Sequence, residues 1–119
     1  GSWTVMTDNG RNHTGRDVVE WVKEAEERGA GEIILTSIAH EGLGRGFDIE
    51  LVKAVTSAVD VPVVAAGGLG TPGHLAELIN ETDVSAAAAA QALHWSKATI
   101  ADLREAQREA GCFVRPLYA

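Results

Sequence analysis

Apolar positions recur along the chain in two alternating rhythms. Val18, Trp21, Val22 and Ala25 fall at helical spacing and leave Glu20, Lys23, Glu24 and Glu27 for water, which predicts a helix running to Gly29. Thr14, three residues ahead of Asp17, reads as a weak capping box at its start. Ile33, Ile34 and Leu35 then form a compact aliphatic run ending at Thr36-Ser37, which predicts a buried strand. A loop with glycines at 42, 44 and 46 follows, and Asp48 is placed to cap a second helix whose stripe is Ile49, Val52, Val55 and Val59. Val61, Val63, Val64, Ala65 and Ala66 have the near-continuous apolar character of a strand covered on both faces. This run ends at Gly67-Gly68, after which Thr71 and Pro72 suit the N-cap and first position of a third helix buried through Leu75, Leu78 and Ile79.

The same reading places a short fourth strand within Asp83 to Ala88, although alanine is a poor strand former. A last helix starts near Thr99, with Asp102 three residues on. It turns Ile100, Leu103, Ala106 and Ala110 inward and stops at Gly111. Ahead of everything, Trp3 to Thr7 is a β-prone run closed by the turn Asp8-Asn9-Gly10 and suited to capping an edge. Strands alternating with helices imply consecutive βα units, right-handed crossovers and a parallel sheet. Two architectures fit that alternation: an open doubly wound sheet, or part of a (β/α)8 barrel. A chain of 119 residues favours the first, because a whole barrel needs roughly 200 or more. One domain from residue 3 to 119 is expected, with Gly1-Ser2 resembling a cloning scar.

Composition narrows the function. A net charge of -7 argues against a nucleic-acid footprint or an anionic membrane surface, so any phosphate binding must be local. The single cysteine, Cys112, rules out a disulfide framework and fits a reducing, cytoplasmic setting. The small-residue run from Ser85 to Ala90 is far too short to span a bilayer.

In either architecture the functional edge lies at the carboxyl ends of the strands. Gly67 and Gly68, between a strand and a helix N-terminus, offer an anion close approach and backbone donors; a turn that binds nothing explains them equally well. Glu41, beside His40, is the one carboxylate in these loops and could serve as general acid or base, or be a solvated surface residue. His13, His40, His74 and His94 lack ligand spacing, so no metal is expected. Gly42-Leu43-Gly44-Arg45-Gly46 lacks the spacing of a dinucleotide fingerprint and opens no helix, and Ser37 lacks the glycines of a nucleophile elbow.

Several motifs in register are more specific. Gly29-Ala30-Gly31-Glu32-Ile33-Ile34-Leu35-Thr36-Ser37-Ile38, then Glu41-Gly42, Gly46-Phe47-Asp48 and Val61 to Gly68 resemble the C-terminal half of the cyclase subunit of imidazole glycerol phosphate synthase, a (βα)8 barrel of histidine biosynthesis. Asn12-Thr14-Gly15, Ala90 to His94 and Val114-Arg115 follow the same pattern, so the resemblance runs from about Trp3 to the end. It implies a partial, half TIM barrel whose fifth strand is missing, completed by a second copy or by a separate N-terminal half. It also implies one phosphate site at Gly67, Gly68, Ala90 and Gln91, with Thr36, Ser37 and Gly42 lining the substrate and no cofactor. The general barrel rule for the loops after strands seven and eight agrees.

Departures from the family pattern weaken the enzyme. Of the family's two catalytic aspartates, one belongs to the absent half and the other is replaced by Glu41; Ala39 stands for a further aspartate. Ala66 and Gln91 stand where serines are usual. The expectation is a phosphate-binding half barrel without cyclase activity alone. A working cyclase or lyase assembled from two halves, and a small α/β phosphate-binding module, are the alternatives.

Overall fold

The computed structural model describes residues 2 to 116. Two strands at the start, β1 (Thr4–Thr7) and β2 (Asn12–Asp17), precede helix α1 (Val18–Glu27). Strand β3 (Ile33–Thr36), helix α2 (Ile49–Ala58), strand β4 (Val63–Ala66), helix α3 (Pro72–Glu81) and strand β5 (Ala86–Ala88) follow. The short helix α4 (Gln91–His94) and α5 (Ile100–Glu109) complete the fold. The parallel sheet has the order β3-β4-β5 and is separate from the antiparallel pair β1-β2. The mixed α/β architecture and the alternating βα units match expectation.

At the start of the chain the expected run and turn form, but with a strand partner that was not expected. The expected edge run is half of a hairpin, with Met6 opposite His13 and Thr7 opposite Asn12. Asp8, Asn9 and Gly10 all have positive φ (52°, 55° and 83°), which reverses the chain tightly. Asn12 to Asp17 lacks the aliphatic alternation that marks a strand, and its polar side chains are mostly exposed, so nothing in its pattern betrays it. Thr14 accordingly caps no helix. Its hydroxyl donates to the Val5 carbonyl at 2.6 Å, and the N-cap of α1 is Asp17, which accepts from the Glu20 N–H at 3.1 Å.

Helices cover one face of the parallel sheet. Leu35, Val63 and Ala65 point into the core with Val55 and Leu78, which are completely buried. The opposite face carries two rows in register, Ile34–Val64–Ala86 and Thr36–Ala66–Ala88. Ile34 is 70% exposed, and Thr36, Ala86 and Ala88 are exposed as well. The expectation that the Val61 run is covered on both faces is therefore corrected, and with it the doubly wound sheet. A near-continuous apolar run reads the same whether its second face meets helices or the inside of a barrel.

That strand also begins later than expected. The N–H groups of Asp60 and Val61 both donate to Glu26 Oε1, at 2.7 and 3.0 Å, so the α1 carboxylate holds the entry to β4 and ladder pairing starts beyond it. In α5, Leu103 and Ala106 turn inward as expected, whereas Ile100 is 56% exposed because it opens the first turn, and Ala110 is only half-buried at the C-cap. No helix among the described residues is long and apolar enough to cross a membrane.

The α5 start is a reciprocal box: Asp102 N–H donates to Thr99 Oγ1 at 3.1 Å and Thr99 N–H to Asp102 Oδ2 at 2.9 Å. The backbone bond from Thr99 holds the Asp102 carboxyl below its ordinary value of 3.8. A carboxyl lowered on folding stabilises the fold above its unfolded value, and the contribution is lost as pH falls through the lowered one. Thr99→Ala is expected to cost about 1 kcal/mol in urea denaturation at pH 7. The penalty of Asp102→Ala should shrink as pH is taken well below 3.8; an acid-independent penalty would contradict the box.

Candidate functional site

Three loops meet at the carboxyl end of the parallel sheet. They follow β3, β4 and β5, and together enclose a small cleft of about 120 Å³ lined by Glu41, Gly42, Gly67, Gly68, Ala90 and Gln91, with Ala66, Leu69, Ala88 and Ala89. Five of the six named first are the residues expected to bind phosphate and to act as the acid or base; Gly42 was expected to line the substrate. Thr36 and Ser37, also expected there, border a different and larger groove of about 750 Å³ along the free edge of β3. That groove is walled by the hairpin and α1 through Trp3, Met6, Val18 and Trp21, and His13, Glu32 and Asp48 also line it.

Glu41 is placed by its own turn. Its N–H donates to the Ser37 carbonyl at 2.9 Å, as does that of His40 at 3.2 Å, while Ser37 N–H continues the ladder to Ala66 at 3.2 Å. A Cβ built on Gly67 would lie 3.1 Å from Glu41 Oε2 and 2.8 Å from the Ser37 carbonyl oxygen, so the carboxylate rests directly against the glycine turn. Only a residue without a side chain, here at φ 89°, admits that approach.

Backbone carbonyls of the β3–α2 loop account for two further glycines. A Cβ on Gly68 would stand 2.0 Å from the Gly46 oxygen, and one on Gly70 would stand 2.0 Å from the Gly44 oxygen. Gly46 N–H in turn donates to Gly68 O at 2.9 Å. The paired glycines are thus required by contact between two loops of the protein, and ligand approach is not what excludes a side chain at Gly68. Among the described residues, no acceptor is found for the N–H groups of Gly68, Leu69 and Ala90, all of which line the cleft.

Two histidines brace this contact. His40 Nδ1 lies 2.9 Å from the Gly46 carbonyl and so donates to it. His74 Nδ1 accepts from the N–H groups of Gly70 and Thr71, at 3.1 and 3.3 Å, and its ring edge lies 3.6 Å from where a Cβ on Gly46 would be. Reading the sequence missed these roles and those of Gly44, Gly46 and Gly70. The signal was the alternation of glycines at 42, 44 and 46, which presents successive carbonyls to one side.

The segment after β5 is a single turn, α4, and Ala90 precedes it with φ -132° and ψ -60° and no side-chain cap. Gln91 is half-buried and donates from Nε2 to the Gly42 carbonyl at 2.6 Å, so its side chain serves the loop as well as bordering the cleft. Gly68→Val and Gly70→Val are each expected to lower stability by about 2 to 4 kcal/mol, since neighbouring backbone must move. Gly73→Ala, whose Cβ would meet only Thr71 Oγ1 at 3.6 Å, should be neutral or stabilising in the same thermal melts. Equal melting temperatures for all three variants would contradict the loop contact.

The geometry can be set beside known proteins. The solved structure of the Amycolatopsis orientalis BexX/CysO complex contains a chain that superposes with a TM-score of 0.58, over 84% of this chain and 44% of that one, at 21% identity. This is a likeness of fold, and the present chain spans less than half the length of that relative. The family model described as "Histidine biosynthesis protein" matches residues 1–99. With the three βα loops converging as they do in a barrel segment, and most of the chain covered by that match, the chain belongs to the histidine biosynthesis protein family.

Proposed function

We propose that this chain is a half barrel that binds a phosphorylated small molecule at the cleft after β3, β4 and β5, and that it has no cyclase activity alone. The observation that carries the reading is the group of cleft-lining N–H donors at Gly68, Leu69 and Ala90 that lack acceptors among the described residues. Backbone donors without acceptors, in residues that surround a small concavity, suit the oxygens of a phosphate. The resemblance to the imidazole glycerol phosphate synthase cyclase supports the same assignment.

Glu41 makes the cleft selective. Its carboxylate shares the space with the incoming phosphate, and two like charges about 5 Å apart repel by roughly 3 kcal/mol at an effective dielectric constant near 20. A ligand that places a proton donor between its phosphate and Glu41 avoids that cost, as an acid–base partner in catalysis would. Cyclisation in the family needs two carboxyl groups, and a positioned acid or base is worth about 100- to 10,000-fold. One glutamate, longer than the aspartate it replaces, leaves turnover near background.

The bare sheet face favours a second reading, in which this chain assembles with another copy or with a separate N-terminal half to make a cyclase or lyase. The two exposed rows and the open edge of β3 are what a partner half would cover.

Titrating inorganic phosphate while following amide resonances tests the first reading: Gly68, Leu69 and Ala90 should shift, and stationary resonances there would retire the site. Glu41→Gln should tighten phosphate binding by about a hundredfold, as relief of a repulsion of roughly 3 kcal/mol requires. Sedimentation at micromolar concentration is expected to show self-association; a monomer that stays monomeric would remove the two-copy form of the second reading. The ammonia-dependent assay with the family's ribulosyl aminoimidazole substrate should stay at background, and activity abolished by Glu41→Gln would overturn that expectation.

A further inference from the structure

Beyond bordering the cleft, the Gln91 side chain bridges two of the three loops. Its Nε2 donates to the Gly42 carbonyl at 2.6 Å, across 49 residues of sequence. Gly42 directly follows Glu41, whose own N–H is held by the Ser37 carbonyl at 2.9 Å. The Glu41 backbone is therefore fastened on one flank by the turn from Ser37 and on the other by Gln91.

The other end of the same amide is informative. Gln91 Oε1 is buried without a hydrogen-bond partner, and a Cβ on Gly44 would lie 3.0 Å from it. Buried polar atoms are nearly always paired, and turning the amide over is the usual remedy for one that is not. Here that remedy fails, because it would bring Oε1 to the place now held by Nε2, 2.6 Å from the Gly42 oxygen, as two facing acceptors. The orientation that leaves Oε1 unpaired is the one that keeps the loop tied. Lys97 Nζ lies 3.5 Å from the same Gly44 position and does not hydrogen-bond that oxygen.

We infer that Gln91 is a positioning residue for Glu41: it ties the loop after β3 to the segment after β5 and so fixes the carboxylate against Gly67. Its consequence for ligand binding rests on the phosphate reading, whereas the tie itself does not. A glutamate at this position keeps the shape and replaces the donor by an acceptor, which sets it against the Gly42 carbonyl.

Hydrogen exchange without ligand tests the tie. In the wild-type chain, the Gln91 side-chain amide should exchange more slowly than that of Gln107, and equal rates would overturn the inference even if every variant failed to fold. In Gln91→Glu and Gln91→Ala, exchange at the Leu43 and Gly46 N–H groups should quicken by roughly tenfold or more while amides of α2 and β4 keep their rates. Nuclear Overhauser effects between the Glu41 side chain and the Gly67 amide, present in the wild type, should weaken in both variants, which a side chain that merely fills space would not cause. Unchanged exchange at Leu43 and Gly46, or undiminished Glu41–Gly67 contacts, would overturn the assignment. Inorganic phosphate is titrated separately: if it fails to bind wild type, the phosphate reading falls and the exchange result stands.

Discussion

Contact between the backbones of two loops is the constraint on which the functional end of this protein depends. The carbonyls of Gly44 and Gly46 press against the Cα atoms of Gly70 and Gly68 at separations no side chain could share. Gly46 N–H closes the contact with a 2.9 Å bond to Gly68. The α3 start joins it through His74 and the loop itself through His40, while Glu41 is held beside it by the turn from Ser37. Loops are commonly the most changeable part of a barrel. Here the oxygens of Ser37, His40, Gly42 and Gly46 in the loop after β3 accept from neighbouring donors, while Leu43 and Arg45 are exposed.

The core and the site have different origins in the chain. The core follows from periodicity: α2 and α3 present Val55 and Leu78 to the inward side of β4, and hydrophobic burial needs only the right residue on the right face. The site depends on where small residues let backbones meet. That is a tertiary property, set by pairs such as Gly68 and Gly46 that lie more than 20 positions apart in the chain.

This difference explains what could be read in advance. Helices α1, α2, α3 and α5 and the strands β3 and β4 were legible, because aliphatic spacing and capping residues such as Asp48 and Thr99 act locally. β2 was not, since a polar strand gets its order from its hairpin partner, and neither was the one-turn helix α4. At the site, the positions of Glu41, Gly67, Gly68, Ala90 and Gln91 around one cleft were anticipated. The steric reason at Gly68, whose missing side chain makes room for the Gly46 carbonyl, and the reach of the Gln91 amide to the loop were not anticipated. Glycine-rich stretches look alike in sequence whether they make room for a ligand or for another stretch of backbone.

The uncovered face of the sheet has a shape as well as a polarity. Across its first row, side chains shrink from Ile34 through Val64 to Ala86, and across its second from Thr36 to Ala66 and Ala88. The surface is therefore a ramp, high along β3 and low along β5. Close packing tolerates few voids larger than a water molecule, so a flat slab laid on this ramp would touch one edge and leave a gap at the other. Only a counter-surface that thickens in the opposite sense, with its bulk over the alanines, meets the whole face at once.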